Sequence, residues 1–394
     1  MKHTIRSWAL TAAAAAFLAA CGGSDSYVAG SGQTAGAPTT KAGFKSVVSF
    51  GDSLSDIGAY APATSLTGNG AAPYFGGKFT ANSPTATIWV ENLATTLGVV
   101  ITPAEVGFGT SSVKCPAAAN PALATTCTGY GQGGSRVTDP NGIGKTTGAL
   151  TVPVKTQIAN HLTRFGKFKS TDLVLVLAGN NDAFTQFGVF AATATQIQTD
   201  AATGKITADQ ANLLGFQAQT AAQEGMKTAA LELAGYIKSQ ILANGAKYVA
   251  VLMPLDAGVT PFGASVPATA RPVLTTLTDT FNLWLREGLT GQPVQLVDLS
   301  GQLKDVIARP ASYGIVNTTV PTCDASKISA ITRGAVTDGS SLFCNSTPGA
   351  PYNGIRTGAD VNTWLFADGV HPTPGGHKTI SDYVGAQLRA FGWI

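Results

Sequence analysis

Four stretches of the chain are apolar at consecutive positions rather than at alternate ones: KSVVSF (45–50), DLVLVLAG (172–179), KYVAVLMP (247–254) and VQLVDL (294–299). Runs of this kind, apolar toward both sides, suit parallel strands covered by helices on each face. Elsewhere the apolar spacing turns helical. It predicts helices from Ile88 to Leu97, from Val154 to Phe165, from about Phe216 to Ala243, from about Val273 to Leu289 and from about Gly376 to Phe391. Gly245 stands just beyond the third of these, where a C-capping residue belongs. Strands alternating with helices predict an α/β fold, a three-layer α/β/α sandwich around a doubly wound parallel sheet. The stretches 101–150 and 305–365 follow neither period and read as loop-rich insertions on that scaffold, not as separate domains.

Two segments precede this pattern. Residues 1–20 open with Lys2 and Arg6, run apolar from Trp8 to Leu18 and lead into Cys21, the layout of a secretory signal too short for a mature membrane span. Leu18-Ala19-Ala20 ahead of Cys21 resembles a bacterial lipobox. That resemblance implies a diacylated Cys21 as the new N-terminus, with several acyl chains for stable anchoring. Gly22, where an Asp would favour inner-membrane retention, points by the same resemblance to the outer membrane. Residues 21–43 are rich in Gly, Ser, Thr and Ala and read as a flexible tether, leaving 44–394 as one domain.

Composition narrows the partners. Apolar residues make up 44% of the chain, ample for a core, and charged ones only 12%, about half the usual share. The formal charge of +3 falls to +1 once Lys2 and Arg6 leave with the signal, and no basic run appears. Nucleic acid as a partner has no electrostatic support. Besides Cys21 there are four cysteines, and an exported chain with an even number suggests two disulfides. Three pairings are open. The sequence-local one, Cys115–Cys127 with Cys323–Cys344, is the simplest. Neither pair has CxxC spacing or a nearby histidine, so no metal site is expected.

In an open parallel sheet, ligands bind beyond the carboxyl ends of the strands. Ser53 follows the first strand directly in SVVSFGDSLSDIGAY (46–60), where the chain then reads like a helix start. It is either a nucleophile or a cap. GNND (179–182) follows the second strand, ADGVHPT (367–373) precedes the last helix, and GYGQGGSRV (129–137) is dense in glycine. Of four histidines His3 lies in the signal, so a histidine base must be His161, His371 or His377. His161 lies in an amphipathic helix and reads as a surface or packing residue; His377 opens the last helix. Asp368, three residues before His371, can fix the tautomer and orientation of that imidazole and stabilise its charged form. Asp-Gly-Val-His alone could equally be a turn.

Taken together these segments resemble the GDSL, or SGNH, esterase/lipase family, from about residue 44 to the end. SFGDSLSD resembles its first block and implies Ser53 as nucleophile. GYGQGGSRV resembles the second, implying the Gly134 N–H as an oxyanion donor, and GNND the third, implying the Asn181 amide beside the N–H of Ser53 itself. DGVHPT resembles the fifth, with Asp368 and His371 as acid and base. The family's activity would be hydrolysis of acyl esters without a cofactor. Acyl transfer or carbohydrate deacetylation could use the same site, and a non-catalytic surface lipoprotein is the alternative of a different class. One departure stands out. Many members begin the second block with Asn, whereas this chain has Gly129, so the oxyanion loop must be braced from elsewhere and Gly133 competes with Gly134 as donor. Tyr60, Tyr74, Phe75, Phe184, Phe187 and Phe190 lie near these motifs as candidates for an acyl pocket or for core. Chain length of the substrate and oligomeric state are not written in these residues.

Overall fold

A computed structural model describes residues 37–65 and 76–394. Its strands are β1 (Ser46–Gly51), β2 (Thr102–Pro103), β3 (Glu105–Phe108), β4 (Ser111–Lys114), β5 (Cys127–Gly129), β6 (Asp172–Leu177), β7 (Tyr248–Met253) and β8 (Gln295–Asp298). Six of them form one sheet in the order β2-β5-β1-β6-β7-β8, every pair parallel, while β3 and β4 make a separate antiparallel hairpin. The winding reverses at β1, so the crevice beyond its carboxyl end is the switch point of the sheet.

The apolar runs divide by parity, as side chains on a strand must. Val48, Phe50, Val174, Val176, Val249 and Val251 enter one core, and Val47, Leu173, Leu175, Leu177, Ala250 and Leu252 the other. The long helices are α2 (Trp89–Thr96), α3 (Val154–Phe165), α4 (Asn180–Ala202), α5 (Ala208–Tyr236), α7 (Arg271–Gly288), α8 (Leu299–Ala308) and α10 (Pro374–Ala390). Three more, α1 (Ala61–Thr64), α6 (Pro261–Ser265) and α9 (Ala325–Ile331), are short. Ile158 of α3, Met226 and Leu233 of α5 and Phe281 of α7 close the first core; Trp89 of α2, Leu303 of α8 and Val384 of α10 close the second. Each fully buried side chain of this size contributes about 1.5–3 kcal/mol. The three-layer α/β/α architecture is therefore present as predicted, and helix α3 has the bounds expected from its period.

The differences follow from weak signals. The insertion at 101–150 supplies β2 and β5 to the main sheet, but strands of two and three residues carry no readable period. Helix α4 was not legible: its only buried residues are Asn180–Ala183 and Phe187, and the remainder is rich in Thr, Gln and Ala. Helix α5 starts at Ala208 rather than near Phe216, because Thr207 and Gln210 form a capping box ahead of it. Gly245 does take the left-handed conformation at the end of that helical run, with φ of 94°. The stretch 305–365 is not all loop, since α9 lies in it and α8 runs into it. The end of the expected tether is held: the Trp393 indole N–H donates to the Pro38 carbonyl at 2.7 Å and Ala42 N–H to the Trp393 carbonyl at 2.9 Å. A buried indole N–H requires an acceptor, and this stretch provides it. Both sequence-local disulfides are formed, Cys115–Cys127 and Cys323–Cys344. The signal, Cys21, Tyr74 and Phe75 lie outside the described residues.

Candidate active site

Parallel pairing aligns β1 and β6 so that Gly51 is level with Leu177. The two strands therefore release their following residues at one edge, and Ser53 and Asn181 meet there. The Gly51 peptide is gripped on both sides by Gln157 of α3, whose Oε1 accepts from its N–H at 2.9 Å and whose Nε2 donates to its carbonyl at 2.8 Å. Sequence reasoning passed over Gln157, because a buried glutamine inside an amphipathic helix gives no local signal. The expected helix start after Gly51 is only a single 3-10 turn, Ser53–Ser55. Its cap is Asp52, whose Oδ1 accepts from Leu54 N–H at 3.1 Å, so Ser53 is not the cap. One turn aligns too few peptides for a substantial dipole at the serine. Burial pushes the Asp52 carboxyl up to about 7.

His371 reaches this edge from the turn before α10. Its Nε2 lies 2.8 Å from Ser53 Oγ, and its Nδ1 lies 2.9 and 2.8 Å from the two oxygens of Asp368. Nδ1 must carry the proton toward the carboxylate, which leaves Nε2 to accept from the serine hydroxyl. The carboxylate also accepts from the N–H groups of Val370 (3.0 Å), His371 (2.8 Å) and Ser341 (2.8 Å). Burial disfavours charge on both partners, but the opposite charges and hydrogen bonds outweigh it. The Asp368 carboxyl is held well below the usual carboxylate range and His371 is raised above the usual imidazole value. The ring of Phe79 packs on His371 with centroids 4.8 Å apart. His161 and His377, the other two candidate bases, are not in the site. His161 is sandwiched among Phe50, Tyr130, Phe165 and Phe168, a packing residue lowered by burial to about 4. His377 is fully buried and lowered, again by burial, to about 3.

The glycine-dense segment folds back over the serine. Gly133 N–H is already engaged, donating to Asp56 Oδ2 at 2.9 Å, while the N–H groups of Gly134 and Ser53 have no acceptor among the described residues. Gly134 sits at φ of 79°, and a Cβ there would stand 2.0 Å from the Ile143 carbonyl oxygen, so only glycine fits. Asn181 Nδ2 donates to the Ser135 carbonyl at 2.9 Å, which latches this amide beside Gly134 and leaves its second N–H available. Of the two glycines, Gly134 is thus the one with a free donor.

The bracing that Gly129 cannot provide comes from three other residues. A Cβ at Gly129 would lie 2.4 Å from Ile57 Cδ1, so a side chain there would have to displace the end of Ile57. Instead Asp56 accepts from Gly58, Ala59 and Gly133 N–H groups, and Tyr60 Oη donates to the Gly133 carbonyl at 2.8 Å. Asp182 accepts from Arg136 Nε at 3.1 Å and from Val137 N–H at 3.0 Å, tying the end of the loop to α4. Asp56 and Tyr60 belong to the first motif's own continuation, and the Asp of GNND was in view, yet none advertised a bracing role by spacing.

A cavity of about 1070 Å³ opens beside Ser53 and His371. One wall comes from the first insertion (Phe108, Ile143, Ala149), the other from the second (Ile331, Val336, Phe343). Of the expected aromatic residues Tyr60 and Phe184 line it, whereas Phe187 and Phe190 pack into the core.

Comparison with known proteins agrees with this geometry in kind. A model of the GDSL-like lipase/acylhydrolase family matches residues 47–384. Two proteins, each called Esterase EstA, from Pseudomonas aeruginosa and Pseudomonas putida, are 31% identical to this chain over 147 residues. The match covers 37% of the chain and 20% of each relative, so the similarity spans about a fifth of those longer proteins.

Proposed function

This chain belongs to the GDSL-like lipase/acylhydrolase family, and on that premise we propose that it is a serine-dependent carboxylic ester hydrolase working through an acyl-enzyme. The observation that carries the reading is the unbroken series Ser53 Oγ, His371 Nε2, His371 Nδ1, Asp368, each contact 2.8–2.9 Å long. In this mechanism His371 takes the proton of Ser53 as Oγ attacks the ester carbonyl. The N–H groups of Ser53 and Gly134 and the free N–H of Asn181 receive the charge that develops on the carbonyl oxygen. His371 then protonates the leaving alcohol, and water releases the acyl group by the same steps. Asp368 stays ionised throughout and stabilises the imidazolium.

The lining of the cavity is more apolar than polar, with Ile143, Ile331, Val336 and Phe343 beside Thr332, Arg333 and Asp338, which favours esters with a sizeable apolar part over acetylated sugars. The anchor read at Cys21 would hold the enzyme at the outer membrane, the domain on its tether. A panel of nitrophenyl esters of rising chain length, with phospholipid and an acetylated sugar alongside, tests this. Turnover should rise beyond acetyl and vanish in Ser53→Ala; a preference for the acetylated sugar would overturn the substrate class. Transfer to an added alcohol in place of hydrolysis would make the enzyme an acyltransferase.

A further inference from the structure

Three backbone N–H groups point at the Asp368 carboxylate, and they do not have the same origin. Those of Val370 and His371 belong to its own turn and would accompany it wherever the turn went. The third, from Ser341, arrives from 27 residues upstream and donates to Oδ2, the same oxygen that His371 Nδ1 contacts at 2.8 Å. Ser341 is wholly buried and begins a single 3-10 turn in the second insertion. The other side of that turn is held as well. Gly77 N–H donates to the Leu342 carbonyl at 3.0 Å, and Asn82 Nδ2 donates to the Ser341 and Cys344 carbonyls at 3.1 and 3.2 Å.

Cys323–Cys344 closes a loop within this insertion, and both ends of that loop touch the acid's own segment. Cys323 N–H donates to the Ala367 carbonyl at 2.9 Å, one residue before Asp368, while Ser341 is three residues before Cys344. Both cysteines are buried, at 3% and 0% exposure. The second bond, Cys115–Cys127, lies at the start of β5 on the other side of β1, and among the described residues neither cysteine sulfur hydrogen-bonds to Ser53, Asn181, Asp368 or His371.

We infer that residues 323–344 are the seat of the triad acid: the Ser341 N–H positions Asp368, and the Cys323–Cys344 bond holds that N–H against the carboxylate. This inference rests on the reading of Ser53, His371 and Asp368 as a triad. The physical consequence has a sign. An N–H donor draws part of the carboxylate's charge away from the imidazole, so removing it leaves more negative charge facing His371 and stabilises the imidazolium. The base then needs a higher pH to become neutral.

The test is Ser341→Pro. Proline is accepted at the first residue of a helical turn, and Ser340 ahead of it is already extended at ψ of 126°, as a residue before proline must be. The substitution removes the one N–H. With turnover of a nitrophenyl ester by the parent protein established first, and absent in Ser53→Ala, Ser341→Pro should lose about ten- to a hundredfold in kcat. The acid limb of its kcat/KM profile should rise by about half a pH unit. Ser341→Ala, which keeps the N–H, should restore both. The Cys323→Ala, Cys344→Ala protein should move the same two quantities in the same directions, and the Cys115→Ala, Cys127→Ala protein neither. A folded Ser341→Pro protein with parental kcat and an unmoved limb would overturn the inference. If Ser341→Pro does not fold, the Cys323→Ala, Cys344→Ala protein decides by the same readouts. Loss of folding in both, with the other cysteine pair dispensable, would also overturn it and leave a purely structural clasp. An inactive parent protein would instead count against the reading of the triad itself.

Discussion

The two halves of the candidate site are built by different means. Ser53 and Asn181 stand at the ends of β1 and β6, and the ladder between those strands sets their spacing, with the Gln157 amide steadying Gly51. Asp368 and His371 stand in a turn with no strand beneath it. Their place depends on hydrogen bonds from their own turn, on Ser341 of an insertion and on the Phe79 ring. The strand half is positioned by the fold and the loop half by cross-bracing. A defect in the core should therefore disturb both halves together, whereas a defect in the bracing should spoil the acid and base while Ser53 stays in register.

Two substitutions in the strand half probe this with the largest expected effects. Ser53→Ala should abolish ester turnover and leave the melting temperature nearly unchanged, since among the described residues Oγ bonds only to His371. Residual turnover at parental kcat would refute the nucleophile. Asn181→Ala should lower kcat by about 10²–10³ with little change in KM, as expected for a donor used mainly in the transition state. A rise in KM alone would make it a binding residue. Asn181→Ala leaves the Ser53–His371–Asp368 contacts in place, and an unmoved acid limb of its pH profile would show that the two halves are separable.

How much of this could be read from the residues depends on the same division. Strands β1, β6, β7 and β8 were legible because each is apolar on both faces, and the motif residues at their ends came with them. Asp368 and His371 were legible because they sit three apart in sequence. What holds them was not. Ser341 and Asp368 are brought together only by the folded insertion, and a backbone N–H leaves no mark on the residue type. Gln157, Asp56 and Tyr60 act on Gly51 and Gly133 across long sequence separations in the same silent way. Short strands and the helix α4, whose outer turns bury no residue, failed for want of a period.

Asp56 lies between the halves in expected effect. Asp56→Asn keeps Oδ1 for the Gly58 and Ala59 N–H groups but turns an NH₂ toward the Gly133 N–H, donor against donor. An unpaired buried donor costs about 1–3 kcal/mol. The melting temperature should drop accordingly, and kcat should fall about tenfold as Gly134 loses its frame, a smaller loss than at Asn181. Unchanged kcat in a destabilised protein would show that the oxyanion loop does not depend on Asp56. In the parent protein, kcat/KM should rise with pH through a limb above the usual imidazole value near 6.5, because Asp368 raises His371 and only the neutral base can accept the proton. A limb below 6.5 would contradict the pairing with Asp368.

The smallest effect on activity, and the cleanest on stability, is expected at His161. It is 2% exposed, and neither ring nitrogen has a hydrogen-bond partner among the described residues. Burial lowers it to about 4, the opposite of His371, which is partly exposed to the cavity and raised. The difference is the carboxylate: His371 has Asp368 against its ring, and His161 has Phe50, Tyr130, Phe165 and Phe168. A histidine whose folded pKa is depressed favours the native state above its unfolded pKa, and that advantage is lost as pH falls toward the folded value. Between about 6.5 and 4 the unfolded chain binds a proton that the folded one does not, a slope of about 1.4 kcal/mol per pH unit from this group. His161→Phe keeps the aromatic packing and removes the titration. Denaturant melts of the two proteins from pH 8 to pH 4 should therefore converge or favour the parent least at the acid end, with kcat the same for both. If the two pH–stability curves run parallel across that interval, His161 is not the neutral buried group that its surroundings require.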